Sequence, residues 1–203
     1  MKTKHFNFSN LKLVKFSNGS KTVLLAVITF LVFSCSKDDP AAPLQNPLSG
    51  YLTASGFNQL TVNNINNGDY EFGYSFIPSV NGKITALVAK LPDVRSGMRV
   101  TIWDKATATV LRTETIDVAT AGVEAIKEIT ALDLTKDKEY FITMNSNDWY
   151  QHKKTDNSIT TYPFIIEDIK ITSYGFSSGT TQTMPTSPTS NYYAGDCSFK
   201  FQK

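Results

Sequence analysis

The amino-acid sequence predicts an all-β fold, namely a two-sheet antiparallel β-sandwich of the jelly-roll or immunoglobulin-like kind. Roughly eight to ten short runs of alternating polar and apolar residues follow one another over about 150 residues. Turn signals such as Asn81-Gly82 separate these runs, and no stretch shows helical periodicity over three turns. Because alternation gives each sheet one wet face and one apolar face, two apolar faces must pack together.

Residues 1–34 are the first segment, and their composition is typical of a signal peptide. They hold five lysines and no acidic residue, and they end in the twelve-residue, mainly apolar run Thr22–Phe33. A helix of that length covers only roughly 18 Å of a bilayer core about 30 Å thick. The run is therefore too short to span a membrane comfortably, and we expect residues 1–34 to be a cleaved signal.

The end of this run resembles the lipobox of bacterial lipoproteins. Val32 and Ser34 precede Cys35 at the positions where that family has an aliphatic and a small residue. The resemblance implies that the signal is cut before Cys35 and that Cys35 carries acyl chains, palmitate among them, which anchor the protein in the membrane. Lys37–Asp39 looks like the lysine-plus-acids signal of lipoproteins exported to the outer face of the outer membrane. An anchor that faces the periplasm, and an uncleaved signal anchor or a buried helix, are the alternatives.

The segment that follows, residues 35–55, is predicted to be the lipidated cysteine and a tether. It contains Pro40, Pro43 and Pro47 and shows little apolar periodicity. We therefore expect a single folded β-sandwich domain over residues 56–203.

The strands of this domain are predicted from their alternation. In Tyr70–Phe76 the aromatic residues occupy every second position, and in Met98–Trp103 Met98, Val100 and Ile102 share one side. The run Ala121–Leu132 has apolar residues at a spacing of three, which also suits a helix, but we predict a strand. The other predicted strands are Lys83–Leu91, Val110–Val118, Lys138–Met144, Phe164–Tyr174 and Asn191–Phe201.

Four short motifs in this region resemble an uncharacterised family of bacterial extracellular β-sandwiches. The motifs, in order, are Gly82–Leu87, Val100–Asp104, Thr109–Leu111, and Leu134-Thr135 followed by Glu139–Ile142. The resemblance covers about residues 68–150, and it implies an accessory or carbohydrate-binding-like domain without an established catalytic residue. Ala108 stands where this family often has a glycine in a turn.

Charge and composition exclude several classes of protein. All 18 acidic residues but only 15 of the 20 basic ones lie after residue 34, so the predicted mature chain has a net charge of −3. This argues against a nucleic-acid partner. Two cysteines and two histidines are too few for zinc fingers or iron–sulfur clusters, and we expect no cofactor. Cys197 is in phase with Phe199 and Phe201, which predicts a buried, inert thiol.

Hydrolytic chemistry is the least favoured of the functions considered. Glu71, Glu114 and Asp104 could supply paired carboxylates for glycoside hydrolysis, but the pattern places them at turns or solvent-facing positions. The Asn- and Asp-rich loops have oxygen ligands suitable for calcium without a diagnostic spacing, so we assign no metal site. His152 is the single histidine of the predicted mature chain. Any catalytic triad in that chain would therefore have to contain His152.

The candidate ligand-binding residues are Asn147, Asp148, Trp149 and Tyr150. An aromatic pair between amides and an acid, just after a strong strand, suits a sugar, because aromatic faces stack on sugar rings while amides bind hydroxyl groups. The alternative is that Trp149 folds back and covers the end of the core. The polar loop Ser177–Ser190 is predicted to be mobile and could close over a site.

The sequence therefore favours a membrane-anchored, surface-exposed, non-catalytic binding module for a glycan or another extracellular polymer. The alternative is a structural, adhesin-like subunit with protein partners at the cell surface. A small glycoside hydrolase comes last.

Overall fold

The computed structural model describes residues 43–203, and this part of the chain is mostly β-structure. Its strands pair antiparallel throughout, which confirms the all-β prediction. The elements in chain order are helix α1 (Pro47–Ser55), a 3-10 turn (Phe57–Gln59), and the strands β1 (Leu60–Asn64), β2 (Tyr70–Pro78), β3 (Gly82–Lys90), β4 (Arg95–Asp104), β5 (Thr109–Val118), β6 (Ala125–Leu134), β7 (Tyr140–Ser146), β8 (Trp149–Lys153), β9 (Phe164–Ile166), β10 (Ile169–Ser178), β11 (Ser187–Pro188), β12 (Tyr192–Ala194) and β13 (Asp196–Gln202).

The strands form three sheets, where the sequence predicts two. A seven-stranded sheet has the order β11-β10-β2-β7-β4-β5, with β9 beside β10. A second sheet has the order β13-β3-β6, and a third has the order β1-β8-β12. The third sheet is separate because β8, after a two-residue turn from β7, pairs with β1 and β12 and with no other strand of residues 43–203. Alternation along one strand gives no information about which partner the strand finds, so the sheet count was not predictable from it.

The core lies between the seven-stranded sheet and the sheet that contains β13. In β2 the aromatic residues Phe72, Tyr74 and Phe76 point inward and are at most 3% exposed. The rings of Phe76 and Phe199, which belong to these two sheets, have centroids 4.6 Å apart. Cys197 is also buried in this core, as its phase predicts.

Helix α1 differs from the sequence prediction, which places residues 35–55 in a tether. Pro47 is well suited to the first turn, and Gly56 ends the helix with a φ of 78°, a left-handed conformation that glycine adopts readily. Leu48 and Tyr51 are buried in the core. Upstream of the helix, the backbone of Gln45 forms two hydrogen bonds of 2.9 Å with Phe201. The folded body therefore includes residues from Gln45 onward.

The ambiguous run Ala121–Leu132 contains most of strand β6, so the prediction of a strand is confirmed. Ala108 has a φ of 53° in the turn between β4 and β5, a left-handed conformation that glycine adopts readily. Cys35 and the predicted signal peptide lie outside the described residues.

Within residues 43–203, no helix is long and apolar enough to cross a membrane.

Candidate functional site

The outward face of the seven-stranded sheet is polar, yet its central residues are buried. Residues that alternate with the core positions of β2, β4 and β7 point away from the core. Glu71 is 1% exposed, although the sequence predicts a solvent-facing or turn position, and Thr101 and Thr143 are fully buried. We call the following residues the polar stripe: Trp103, Thr143, Glu71, Arg99, Asn145, Arg95 and Asn147.

Hydrogen bonds connect the inner part of the polar stripe. The indole Nε1 of Trp103 donates to Thr143 Oγ1 at 3.0 Å, and this hydroxyl donates to Glu71 Oε1 at 2.6 Å. Arg99 Nη2 donates to the other carboxylate oxygen of Glu71 at 2.7 Å. Glu71 thus has a guanidinium and a hydroxyl donor, which offset the cost of burying its charge.

The other end of the polar stripe reaches the loops. The guanidinium of Arg95 donates a hydrogen bond to Asn147 Oδ1 and lies 3.9 Å from a carboxylate oxygen of Asp148. Asn147 Nδ2 donates to Asn66 Oδ1 at 3.0 Å, and the backbone N–H of Asn66 donates to Asp148 Oδ1 at 2.7 Å. The Asp148 carboxylate, which is buried, therefore orients Asn66 and Arg95 rather than facing a ligand.

An open hollow of about 380 Å³ adjoins this end of the stripe. Its polar lining includes Arg95 and Asp117. The Asp117 carboxylate accepts hydrogen bonds from the Gly97 N–H at 2.7 Å and from Ser96 Oγ at 2.8 Å, and these bonds lower its pKa. The hollow is lined by Val94, Arg95, Ser96, Asp117, Val118 and Ala119.

The segment 179–186, which we call the strap, lies against the inner part of the polar stripe. Arg99 Nη2 donates to the Thr180 carbonyl oxygen at 3.0 Å, and Asn145 Nδ2 donates to the Gly179 carbonyl oxygen at 2.9 Å. The Gln182 amide donates to the hydroxyls of Thr101 at 3.1 Å and Thr113 at 2.7 Å. The strap is part of the loop Ser177–Ser190, which the sequence predicts could close over a site.

Trp149 is not available for stacking on a ligand. It is 6% exposed, and its ring centroid lies 4.8 Å from that of Phe72 and 5.1 Å from that of Tyr70. Trp149 therefore covers the end of the core, which is the alternative that the sequence also allows. The physical reason is that Trp149 begins strand β8 on the side that packs against the aromatic residues of β2.

Tyr150 follows Trp149 in an extended strand and therefore points to the opposite face of β8. It is half-buried, and Lys90 Nζ lies 5.2 Å from its ring centroid. Of the four predicted site residues, the structure brings only Asn147 and Asp148 together at the polar stripe. Trp149 and Tyr150 lie elsewhere.

His152 has partners on both ring nitrogens. Its Nε2 lies 2.7 Å from Asp196 Oδ1, and its Nδ1 lies 3.1 Å from Thr61 Oγ1. The imidazole is buried, and the Tyr193 ring stacks near it with centroids 6.2 Å apart. We assign this group a structural role, since its bonds connect β8 with β1 and β13.

The remaining acidic candidates have cationic partners. Asp104 lies 2.7 Å from Lys138 Nζ, which lowers the pKa of the carboxyl group, and Glu114 lies 3.4 Å from Arg112. Burial raises the pKa of the Cys197 thiol well above its usual range, so the reactive thiolate is disfavoured. No group of three or more histidine, cysteine, aspartate or glutamate side chains within residues 43–203 could hold a metal ion.

Arg95, Arg99 and Asn66 belong to the site but are not among the residues that the sequence predicts. Arg99 occupies the outward phase of the alternating run Met98–Trp103, so its face was predictable. Its neighbours were not, because they come from strands distant in the chain. No protein-family model, curated protein or solved structure matches this chain.

Proposed function

We propose that this chain is an outer-membrane lipoprotein that is anchored through Cys35, faces the cell exterior and binds a glycan or another extracellular polymer without catalysing a reaction. The proposal includes a body with two principal layers, of the jelly-roll or immunoglobulin-like kind, in which the seven-stranded sheet is one layer and carries the binding surface.

The observation that carries the binding function is the open end of the polar stripe. Asn147 can both donate and accept hydrogen bonds, Arg95 donates, and Asp117 accepts. Sugar hydroxyls need this mixture, while Val94, which is 59% exposed, and the exposed Ala119 offer apolar surface to the C–H groups of a sugar ring.

The anchoring part of the proposal is supported by the N-terminal sequence. A basic segment, a short apolar run, a small residue and Cys35 follow one another in the order found in bacterial lipoproteins. The resemblance to extracellular β-sandwiches agrees with a location outside the cell.

Binding is tested with the full-length protein, solubilised in detergent and sedimented with a panel of insoluble polysaccharides. Arg95→Ala should weaken retention about tenfold or more, since a hydrogen bond to a charged group contributes about 1.5–3 kcal/mol. Lys83→Ala is the matched control because it also removes one positive charge. Lys83 is exposed and lies near the start of β3, and Lys90 is at the opposite end of that strand. Equal retention of both variants on every polymer that binds the wild type would contradict the proposed site.

Anchoring is tested by labelling cells with palmitate. Cys35→Ser should abolish incorporation of the label. A labelled, membrane-bound Cys35→Ser variant would show that Cys35 is not the acylated residue.

A second candidate function, a structural or adhesin-like subunit of a surface complex, is favoured by the edges of two sheets. Within residues 43–203, strands β5 and β6 each have one sheet neighbour, and they expose Val110, Leu111 and Ile126. Cross-linking on intact cells should then capture a protein partner. The Ile126→Glu variant should lose this cross-linked product, and the Arg95→Ala variant should keep it. Capture that is insensitive to Ile126→Glu would count against this edge.

A further inference from the structure

We propose that the strap occupies further subsites of the same binding surface as an internal substitute for the ligand, and that this ligand is an N-acetylated glycan. The inference rests on the proposed binding function and adds to it the class of ligand and a means of regulation.

The strap places amide groups on the polar stripe and on its neighbours Thr101 and Thr113. The carbonyl oxygens of Gly179 and Thr180 accept hydrogen bonds from Asn145 and Arg99. The carboxamide of Gln182 donates to Thr101 and Thr113. An acetamido group offers the same pair of functions on one sugar residue, a carbonyl oxygen that accepts and an N–H that donates, whereas a sugar with hydroxyls alone lacks the carbonyl.

The polar stripe is organised without the strap. Glu71 is bound by Arg99 and Thr143, and Trp103 holds the Thr143 hydroxyl. These bonds come from β2, β4 and β7 alone, so they do not depend on the strap. The Nε of Arg99 is buried and has no hydrogen-bond partner within residues 43–203, which leaves a donor that a better-fitting ligand can use.

The strap itself is weakly held. Of residues 179–186 only Pro185 is buried, and the strap is not part of a strand. Its contacts with the stripe are a few hydrogen bonds, and segments with little buried apolar surface open at low free-energy cost. A ligand at the open Arg95 end can therefore extend along the stripe by displacing the strap.

The strap competes with the ligand in this scheme, so weakening the strap should strengthen binding. Gln182→Ala removes the hydrogen bonds to Thr101 and Thr113 and should tighten binding of the N-acetylglucosamine tetramer about twofold to tenfold, the range expected for one or two neutral hydrogen bonds. Thr183→Ala is the matched control, because this exposed strap residue bonds only to Thr181 within the strap. Binding is measured by titration calorimetry on the full-length protein in detergent.

A second variant tests the position of the acetamido group. Adding Thr113→Val to Gln182→Ala removes the hydroxyl that would accept the acetamido N–H, and the gain in affinity should disappear. Cellotetraose, which has the same linkage without the acetamido groups, should bind at least about tenfold more weakly than the acetylated tetramer. Circular dichroism and the Tm of each variant show whether the fold is retained.

Several results would overturn the inference. Equal affinity of Gln182→Ala and the wild type for the acetylated tetramer, with retained fold, would show that the strap does not compete. Equal binding of both tetramers would remove the acetamido assignment. Binding of the acetylated peptide Gly-Thr-Thr-Gln in place of either sugar would assign the site to peptides.

The failure of this inference is distinguishable from failure of the proposed function. If Arg95-dependent retention on a polysaccharide persists while no variant binds either tetramer, the inference is wrong and the binding function stands. If no polysaccharide retains the wild type, both are wrong.

Discussion

Four consecutive residues, Asn147 to Tyr150, show how differently neighbours in the chain can be placed. Asn147 and Asp148 form the turn between β7 and β8 and join Arg95 at the polar stripe. Trp149 enters the core, and Tyr150 points to the opposite face of β8. The residue types that suggest a sugar site are all present. However, successive side chains of an extended strand point to opposite faces, so the two aromatic side chains lie apart.

Replacement of Trp149 tests its assignment to the core. Trp149→Ala should lower the free energy of unfolding by about 3–5 kcal/mol, because the buried ring leaves a cavity beside Phe72. Urea denaturation followed by circular dichroism measures the effect, and Tyr150→Ala, at a half-buried position, should cost less. Unchanged stability together with lost polymer binding would instead return Trp149 to the ligand site.

At the scale of elements, helix α1 extends the folded body into the segment that the sequence assigns to the tether. Three prolines within a short stretch are typical of an extended linker, yet Pro47 serves here as the start of a helix. The helix contributes Tyr51, whose ring packs in a T-shaped arrangement 5.3 Å from that of Tyr193. The helix thus packs its buried face against the aromatic part of the core.

Replacement of Tyr51 tests whether the helix is part of the body. Tyr51→Ala should destabilise the protein by about 3–5 kcal/mol, as large aromatic deletions in cores do. Thr53→Ala, at an exposed position of the same helix, should leave the Tm within a few degrees of the wild type. Thermal melts followed by circular dichroism compare the variants. If both variants have the same Tm as the wild type, the helix does not contribute to the stability of the sheets.

At the scale of the whole molecule, three carboxylates with lowered pKa values connect distant parts of the chain. Asp104 binds Lys138, Asp117 accepts from the Gly97 N–H, and Asp168 accepts from Gln45 and pairs with Lys203. A carboxyl group whose pKa is lower in the folded than in the unfolded state stabilises the fold above its unfolded pKa. That stabilisation is lost as the pH falls through the folded pKa.

The Tm should therefore fall as the pH is lowered from about 5 to about 2, since the unfolded carboxyl groups titrate near 3.9. Thermal melts across this range measure the effect. Asp117→Asn should melt at a lower temperature at neutral pH and show a shallower decrease in acid, because one of the contributing groups is gone. If the plots of Tm against pH are parallel for the wild type and the Asp117→Asn variant, Asp117 does not contribute to the pH dependence of stability.

Local patterns in the chain predict the strands β2 to β7 but neither β1 nor β8, and they predict the sheets poorly. The alternation in β2 and β4 places Phe72, Tyr74, Met98 and Val100 in the core, and these residues are buried. The helix α1 is missed because nine residues, with a weak apolar face, give too little signal. The third sheet is missed because the pairing of β8 with β1 and β12 depends on contacts remote in sequence.

By itself, the sequence determined the all-β class, the inward phase of the strands and the burial of Cys197, because each depends on side-chain alternation along a few neighbouring residues. Only the tertiary structure decided the position of Trp149, the three-sheet arrangement and the polar stripe under its strap. The stripe joins Glu71, Arg99 and Asn145 from three different strands. Such a site exists only when strand order and register bring distant residues together, and local periodicity has no information about either.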